Sequence, residues 1–190
     1  NGLPAFEFAD NADVNYDQLY RVDGNWSTKT AGTGFLVLQG KAGVQNASHW
    51  GFGTFTWSSK NHFAYYGSAI DTFGLSTPRQ NVISDGSATA GVWHIYDVSL
   101  TAGGALTAFL NGSQKLTVNG TIGGTNTMDS TTWTGSIAEV LVYDRTLNDA
   151  ERTITDNYLS AKCSRTISND RYAENGYGLD VFGIGRESSG

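Results

Sequence analysis

The chain has little with which to cross-link itself. Cys163 is the single cysteine in 190 residues, so no internal disulfide can form and a disulfide framework is excluded. Long apolar runs are also missing: no window reaches the roughly 18 apolar residues that a membrane-spanning helix needs. Basic residues are few, with 12 Lys+Arg against 18 Asp+Glu and a net charge of −6. Without a basic patch the sequence argues against a nucleic-acid partner. The acidic balance suits divalent cations, or plain solubility. Charged residues make up only 16% of the chain, below the usual share of about 25%. No signal peptide is visible at Asn1, and the sequence reads as a piece of something longer.

What is present is a β-forming, turn-rich sequence. The hydrophobic fraction of 39% is enough for a core, and 12% aromatics fit a β-sandwich better than a helical bundle. Ser, Thr, Asn and Gly replace the missing charge, as is common in secreted bacterial modules. Low cysteine use points the same way, since secreted eukaryotic domains of this size more often carry a pair. Strands are predicted at Ala5–Phe8, Gly34–Gln39, Trp50–Trp57, Asn61–Gly67 and Trp93–Leu100. A hairpin follows, Ala105–Leu110 and Gln114–Val118 across Asn111-Gly112-Ser113. Residues 71–90 and 119–132 read as loops, the first with room for a weak edge strand. No repeat is visible. Short strands separated by polar turns, with one helix, predict an all-β, two-sheet antiparallel β-sandwich.

The helix ends the run from Gly135 to Cys163. Ile137, Glu139, Leu141 and Tyr143 alternate with Ala138, Val140 and Val142, which predicts a strand covered on both faces. Asn148 with Glu151 three residues later is a capping-box pattern. Ala150, Ile154, Leu159 and Ala161 form an apolar stripe at roughly helical spacing. The domain is therefore expected over residues 1–163, with a helix at 148–162. Residues 164–190 are expected to be an extension, either one more strand or the start of a following or split domain.

Three pieces in order resemble the concanavalin A-like lectin/glucanase superfamily, in particular its bacterial laminin-G-like modules. They are Gly91-Val92-Trp93-His94-Ile95-Tyr96-Asp97-Val98, then Leu106–Gly112, then the Gly135–Leu147 strand with Asp149-Ala150-Glu151-Arg152. The resemblance covers residues 91–163, and Phe6-Glu7-Phe8-Ala9-Asp10 is similar to the family's first strand and acidic turn. The tail Asp180–Arg186 resembles segments of large bacterial surface proteins. The resemblance implies a jelly-roll sandwich, an extracellular place on a bacterial surface, and binding of sugars, proteins or peptides, often with Ca2+. The partners implied are a carbohydrate or peptide ligand on a cell or surface, and neighbouring domains of the same chain.

Glycosidases need two carboxylates flanking one cleft, and the strand carboxylates Glu7, Asp97, Glu139 and Asp144 have no acidic neighbour two residues away. His49, His62 and His94 are scattered, no Gly-x-Ser-x-Gly elbow exists, and nothing suits zinc. A non-catalytic module is expected. Calcium takes oxygen ligands from loops, and the candidates are Asp10, Asp13 and Glu139. Glu139 in an apolar strand needs a metal, a basic partner or backbone donors. Candidate ligand-binding residues are Trp26 and Trp133, as stacking platforms in polar loops, with Asp71, Arg79, Asp85 and Asn126 nearby in the loops. Trp93, His94 and Cys163 read as structural, and Asp144-Arg145 as part of a corner salt bridge. A spacer that only positions neighbouring domains is the alternative reading.

Overall fold

The computed structural model describes residues 4–8, 31–40, 47–51, 62–66, 69–72, 80–83, 89, 91–119 and 135–171. Ten strands and one helix follow in chain order: β1 Phe6–Phe8, β2 Gly32–Gly40, β3 Ala47–Gly51, β4 His62–Tyr66, β5 Ala69–Thr72, β6 Gln80–Ile83, β7 Trp93–Leu100, β8 Ala105–Leu110, β9 Ser113–Asn119, β10 Gly135–Tyr143 and α1 Asp149–Cys163. They form a six-stranded sheet, β1-β10-β2-β7-β8-β9, and a four-stranded sheet, β3-β4-β5-β6. Every pairing is antiparallel. This is the expected two-sheet sandwich. Among the described residues no helix is long and apolar enough to cross a membrane.

Residues 71–90 are not all loop. β5 and the edge strand β6 begin and interrupt them. Edge strands are paired on one side only, so they lack the two-sided apolar run that makes a central strand visible in sequence.

The register assigns the two faces of the larger sheet. Phe35 and Val37 of β2, Ile95 of β7 and Leu141 of β10 share one face, and α1 packs there through Leu159. Leu147 and Ile167, from the segments before and after the helix, complete that core, with Trp93, Tyr143 and Cys163 against it. Phe35 and Tyr143 meet edge-to-face, ring centroids 6.1 Å apart. The other face carries Leu36, Leu38, Tyr96, Val98, Ala108 and Leu110, all buried. Burying one such large side chain stabilises by about 1.5–3 kcal/mol.

A bulge in β10 changes the predicted alternation. Ile137 pairs with Leu38 and Glu139 with Val37, so the register shifts between them. The extra residue puts Ile137 on the face of Leu38, away from Leu141, while Ala138 packs against the helix-side core. A period-two reading cannot see this, because one inserted residue inverts every side chain on one side of it.

The helix buries the second half of the apolar stripe, Leu159 and Ala161, but not its first half. Thr155, Asp156, Asn157, Leu159, Ser160 and Ala161 are buried, whereas Ile154 is 59% exposed and Ala150 is exposed too. Polar residues face inward here because the sheet and the following chain supply their partners. The N-terminus matches expectation: Asn148 Oδ1 accepts from the Glu151 backbone N at 2.9 Å, and Glu151 accepts from the Asn148 N at 3.0 Å.

Candidate functional site

Thr33, buried on β2, sets where the chain turns from strand into helix. Its hydroxyl donates to the Arg145 carbonyl at 3.1 Å and accepts from the Leu147 N at 3.0 Å. Thr146 donates to the Leu100 carbonyl at 2.8 Å. The corner salt bridge forms between Arg145 and Glu151, two parallel bonds of 2.7 Å. That guanidinium and the Asn148 N–H hold the exposed Glu151 carboxyl down to about 2.

Glu139 is answered by a lysine. Lys162 Nζ, in the last turn of α1, donates to Glu139 Oε2 at 2.7 Å. The carboxylate in the apolar strand thus has the basic partner that its place required, and the pair ties the helix end to β10. β1 lies beside β10, with Phe6 opposite Ile137 and Phe8 opposite Gly135, so the chain leaves β1 in the direction away from Glu139. Among the described residues no group of His, Cys, Asp and Glu side chains is arranged to hold a metal ion. Asp10 and Asp13 lie outside the described residues. So do Trp26, Arg79, Asp85, Asn126 and Trp133. Asp71 stands in β5 opposite Ala64.

His94 sits in a structural network. Asn111 Nδ2 donates to its Nδ1 at 3.1 Å, and its Nε2 is 3.0 Å from the Thr89 carbonyl. With Nδ1 accepting, Nε2 carries the proton and the ring is neutral. Burial pushes its basicity down, opposed by the Thr89 contact and aided by the Arg165 charge. Asn111 also accepts from the Ile95 N at 2.9 Å through Oδ1, and its backbone carbonyl accepts from the Ser168 N at 2.9 Å.

A buried polar cluster between β7 and α1 was missed in the sequence. Asp97 on β7 and Asp156 on α1 are 1% and 0% exposed, and their carboxyls lie against each other, with no N–H or hydroxyl donor among the described residues on either Asp97 oxygen. Arg152, one helical turn before Asp156, reaches its Oδ2 at 3.3 Å while lying 3.8 Å over the Phe109 ring. Asn169, beyond the helix, donates to the same oxygen at 2.8 Å. Burial holds Asp97 well above the usual carboxylate range, and the Asp156 charge adds to this. Asp156 is also raised by burial, against the hydrogen bonds and the Arg152 charge that favour its ionised form. Two carboxyls side by side resemble a hydrolase pair, but a substrate cannot reach groups this deep under a helix. The sequence signal was an aspartate inside an apolar strand, and Arg152–Asp156 at helical spacing.

The chain continues on the body past the helix. Ser164 has φ 51 and caps the helix, the Arg165 N donates to the Ser160 carbonyl at 2.9 Å, and the Ser160 hydroxyl donates to the Arg165 carbonyl. Ile167 enters the core, and the Arg171 N donates to Asn157 Oδ1 at 2.7 Å.

No protein-family model matches the sequence, and no curated protein matches it. Solved structures do resemble the fold. A native heptameric SAP-like pentraxin from Limulus polyphemus is 12% identical with a TM-score of 0.52, over 77% of this chain and 78% of that one. The binding domain of botulinum neurotoxin DC, solved with rat synaptotagmin II, is 11% identical with a TM-score of 0.56, over 82% of this chain and 43% of that one. A structure of botulinum neurotoxin type C, whose route into cells depends on two ganglioside molecules, is 12% identical with a TM-score of 0.50, over 83% of this chain and 46% of that one. The chain thus spans under half of each toxin chain. At these identities the likeness is one of fold: this chain shares their β-sandwich.

Proposed function

We propose that the chain is a non-catalytic, extracellular ligand-recognition module of a bacterial adhesin that binds carbohydrate or peptide. The observation that carries this reading is the division of labour in the fold. Glu139, Arg145, Glu151, Asp97, Asp156 and His94 all serve contacts that hold the helix, the corner or the turn in place. A body so committed leaves recognition to the loops, where rigid sandwiches carry their ligands. The structural neighbours support the same class: one toxin domain was solved with a protein, and the other toxin depends on gangliosides. In this reading Trp26 and Trp133 stack on sugar or peptide, with Asp71, Arg79, Asp85 and Asn126 as polar partners. Ca2+, where it contributes, is held by Asp10 and Asp13, since Glu139 is engaged by Lys162.

A glycan and peptide array, run with and without EDTA, tests this reading. Binding that Trp26→Ala or Trp133→Ala removes supports it. Silence on both arrays overturns it and favours the second reading, a spacer between ligand-binding domains. The pinning of Ser164–Arg171 to the body favours that spacer, because it fixes the direction in which the chain leaves.

A further inference from the structure

We propose that a single proton, shared between Asp97 and Asp156, fastens α1 and the segment after it to the larger sheet, and that losing this proton as pH rises loosens the joint. The pair sits where three parts of the chain meet: β7 gives Asp97, α1 gives Asp156 and Arg152, and the segment after the helix gives Asn169. Among the described residues no N–H or hydroxyl donor reaches either Asp97 oxygen or Asp156 Oδ1. The contact between two carboxyls therefore needs a proton of its own. Without it, two oxygens of like charge would face each other in a dry seam.

The charge count agrees. β2 and β8 place Phe35 and Phe109 beside Asp97 in the register and bring no charge. From α1 come Asp156 and the Arg152 guanidinium, which is itself shared with the exposed Asp149 at 3.7 Å. From the following segment comes the neutral amide of Asn169, and the Arg165 charge falls on His94. One guanidinium balances one carboxylate, and the second carboxyl stays neutral by keeping its proton. Asp156 Oδ2 already accepts from Arg152 and Asn169, so Asp156 is the ionised member and Asp97 the donor. This is a hydrogen bond between a carboxylic acid and a carboxylate, among the stronger kinds.

The linkage has a fixed sign. Asp97 keeps a proton in the folded chain that it loses in the unfolded chain above about pH 3.9. The contribution is complete below that pH and falls as pH rises towards the folded pKa. One proton retained on folding makes the folding equilibrium constant fall tenfold per pH unit through this window.

Asp97→Asn tests the idea, because the amide can donate to Asp156 in place of the acid. Denaturant unfolding of wild type and Asp97→Asn between pH 5 and 9 should give folding constants whose ratio changes by up to tenfold per pH unit, the wild type losing ground as pH rises until Asp97 is ionised in the folded chain too. Amide exchange, corrected for intrinsic rates, should show α1 and residues 164–171 losing protection first in the wild type. Parallel pH profiles would overturn the proposal. Asp156→Asn carries the same expectation, should Asp97→Asn not fold. Infrared spectra of the native wild type at pH 5 give an independent reading: a protonated-carboxyl band that Asp97→Asn removes supports the shared proton, and its absence sinks it.

Discussion

A β-carbon at Gly112 would stand 1.7 Å from Asn169 Oδ1 and 2.5 Å from its Cγ. The glycine also has φ +74, so both space and backbone exclude a side chain. Gly112→Ala is therefore expected to displace Asn169 and to cost about 1–3 kcal/mol in denaturant unfolding. His94 follows from the same hairpin. Burial lowers its pKa below the usual 6.5, so its contribution to stability is complete above pH 6.5 and is lost as pH falls below it. An NMR titration should find a neutral Nε2–H ring that protonates later on acidification than a free histidine. Glu151 behaves in the same direction at lower pH. Its carboxyl is held at about 2 by Arg145 first and the Asn148 N–H second. Its contribution is present above about pH 4.3 and fades towards pH 2. Glu151→Gln should flatten the acid limb of a stability profile in that window.

The helix shows which features of an element a sequence displays. Its start was legible, because a capping box is written in local spacing: Asn148 and Glu151 need only each other. Asn148→Ala should cost about 1 kcal/mol by thermal or denaturant unfolding. The buried face was not legible, because Asp156, Asn157 and Ser160 are inward only by virtue of Asp97, Asn169 and Arg165, which come from elsewhere in the chain. Ile154, apolar and rightly placed for a stripe, points to solvent instead. β10 fails the same test at its bulge. Alternation was readable from Glu139 to Tyr143, but the extra residue at Ala138 reverses Ile137. Of the partners open to Glu139, a metal, a base or backbone donors, the structure shows a base, Lys162 at 2.7 Å. The pair is partly exposed, so Glu139→Gln should cost under about 1 kcal/mol. Calorimetry with Ca2+ should find the same affinity in wild type and Glu139→Gln.

At the scale of the molecule, the central strands of the larger sheet were visible because each is apolar on both faces, and that follows from having a helix on one side and the sandwich interior on the other. The loop residues named for ligand or calcium lie almost wholly outside the described residues, and no local pattern marks a ligand as alternation marks a strand. The segment after the helix was invisible for another reason: its partners are far away in sequence. Ile167 is 5% exposed in the helix-side core, and the Ser168 N reaches back to the Asn111 carbonyl. Asn169 closes on Asp156, and the Arg171 N on Asn157. The folding unit therefore needs more than the helix. Ending the chain at Cys163 would strip donors from Asn111, Asn157 and Asp156 and open the core where Ile167 sits. A chain of residues 1–163 is expected to be much less stable than one of residues 1–171, or not to fold. Ile167→Ala in the full chain isolates the packing share of that loss, expected at about 2–5 kcal/mol. Equal melting temperatures for the two lengths would show that residues 164–171 rest on the body without supporting it.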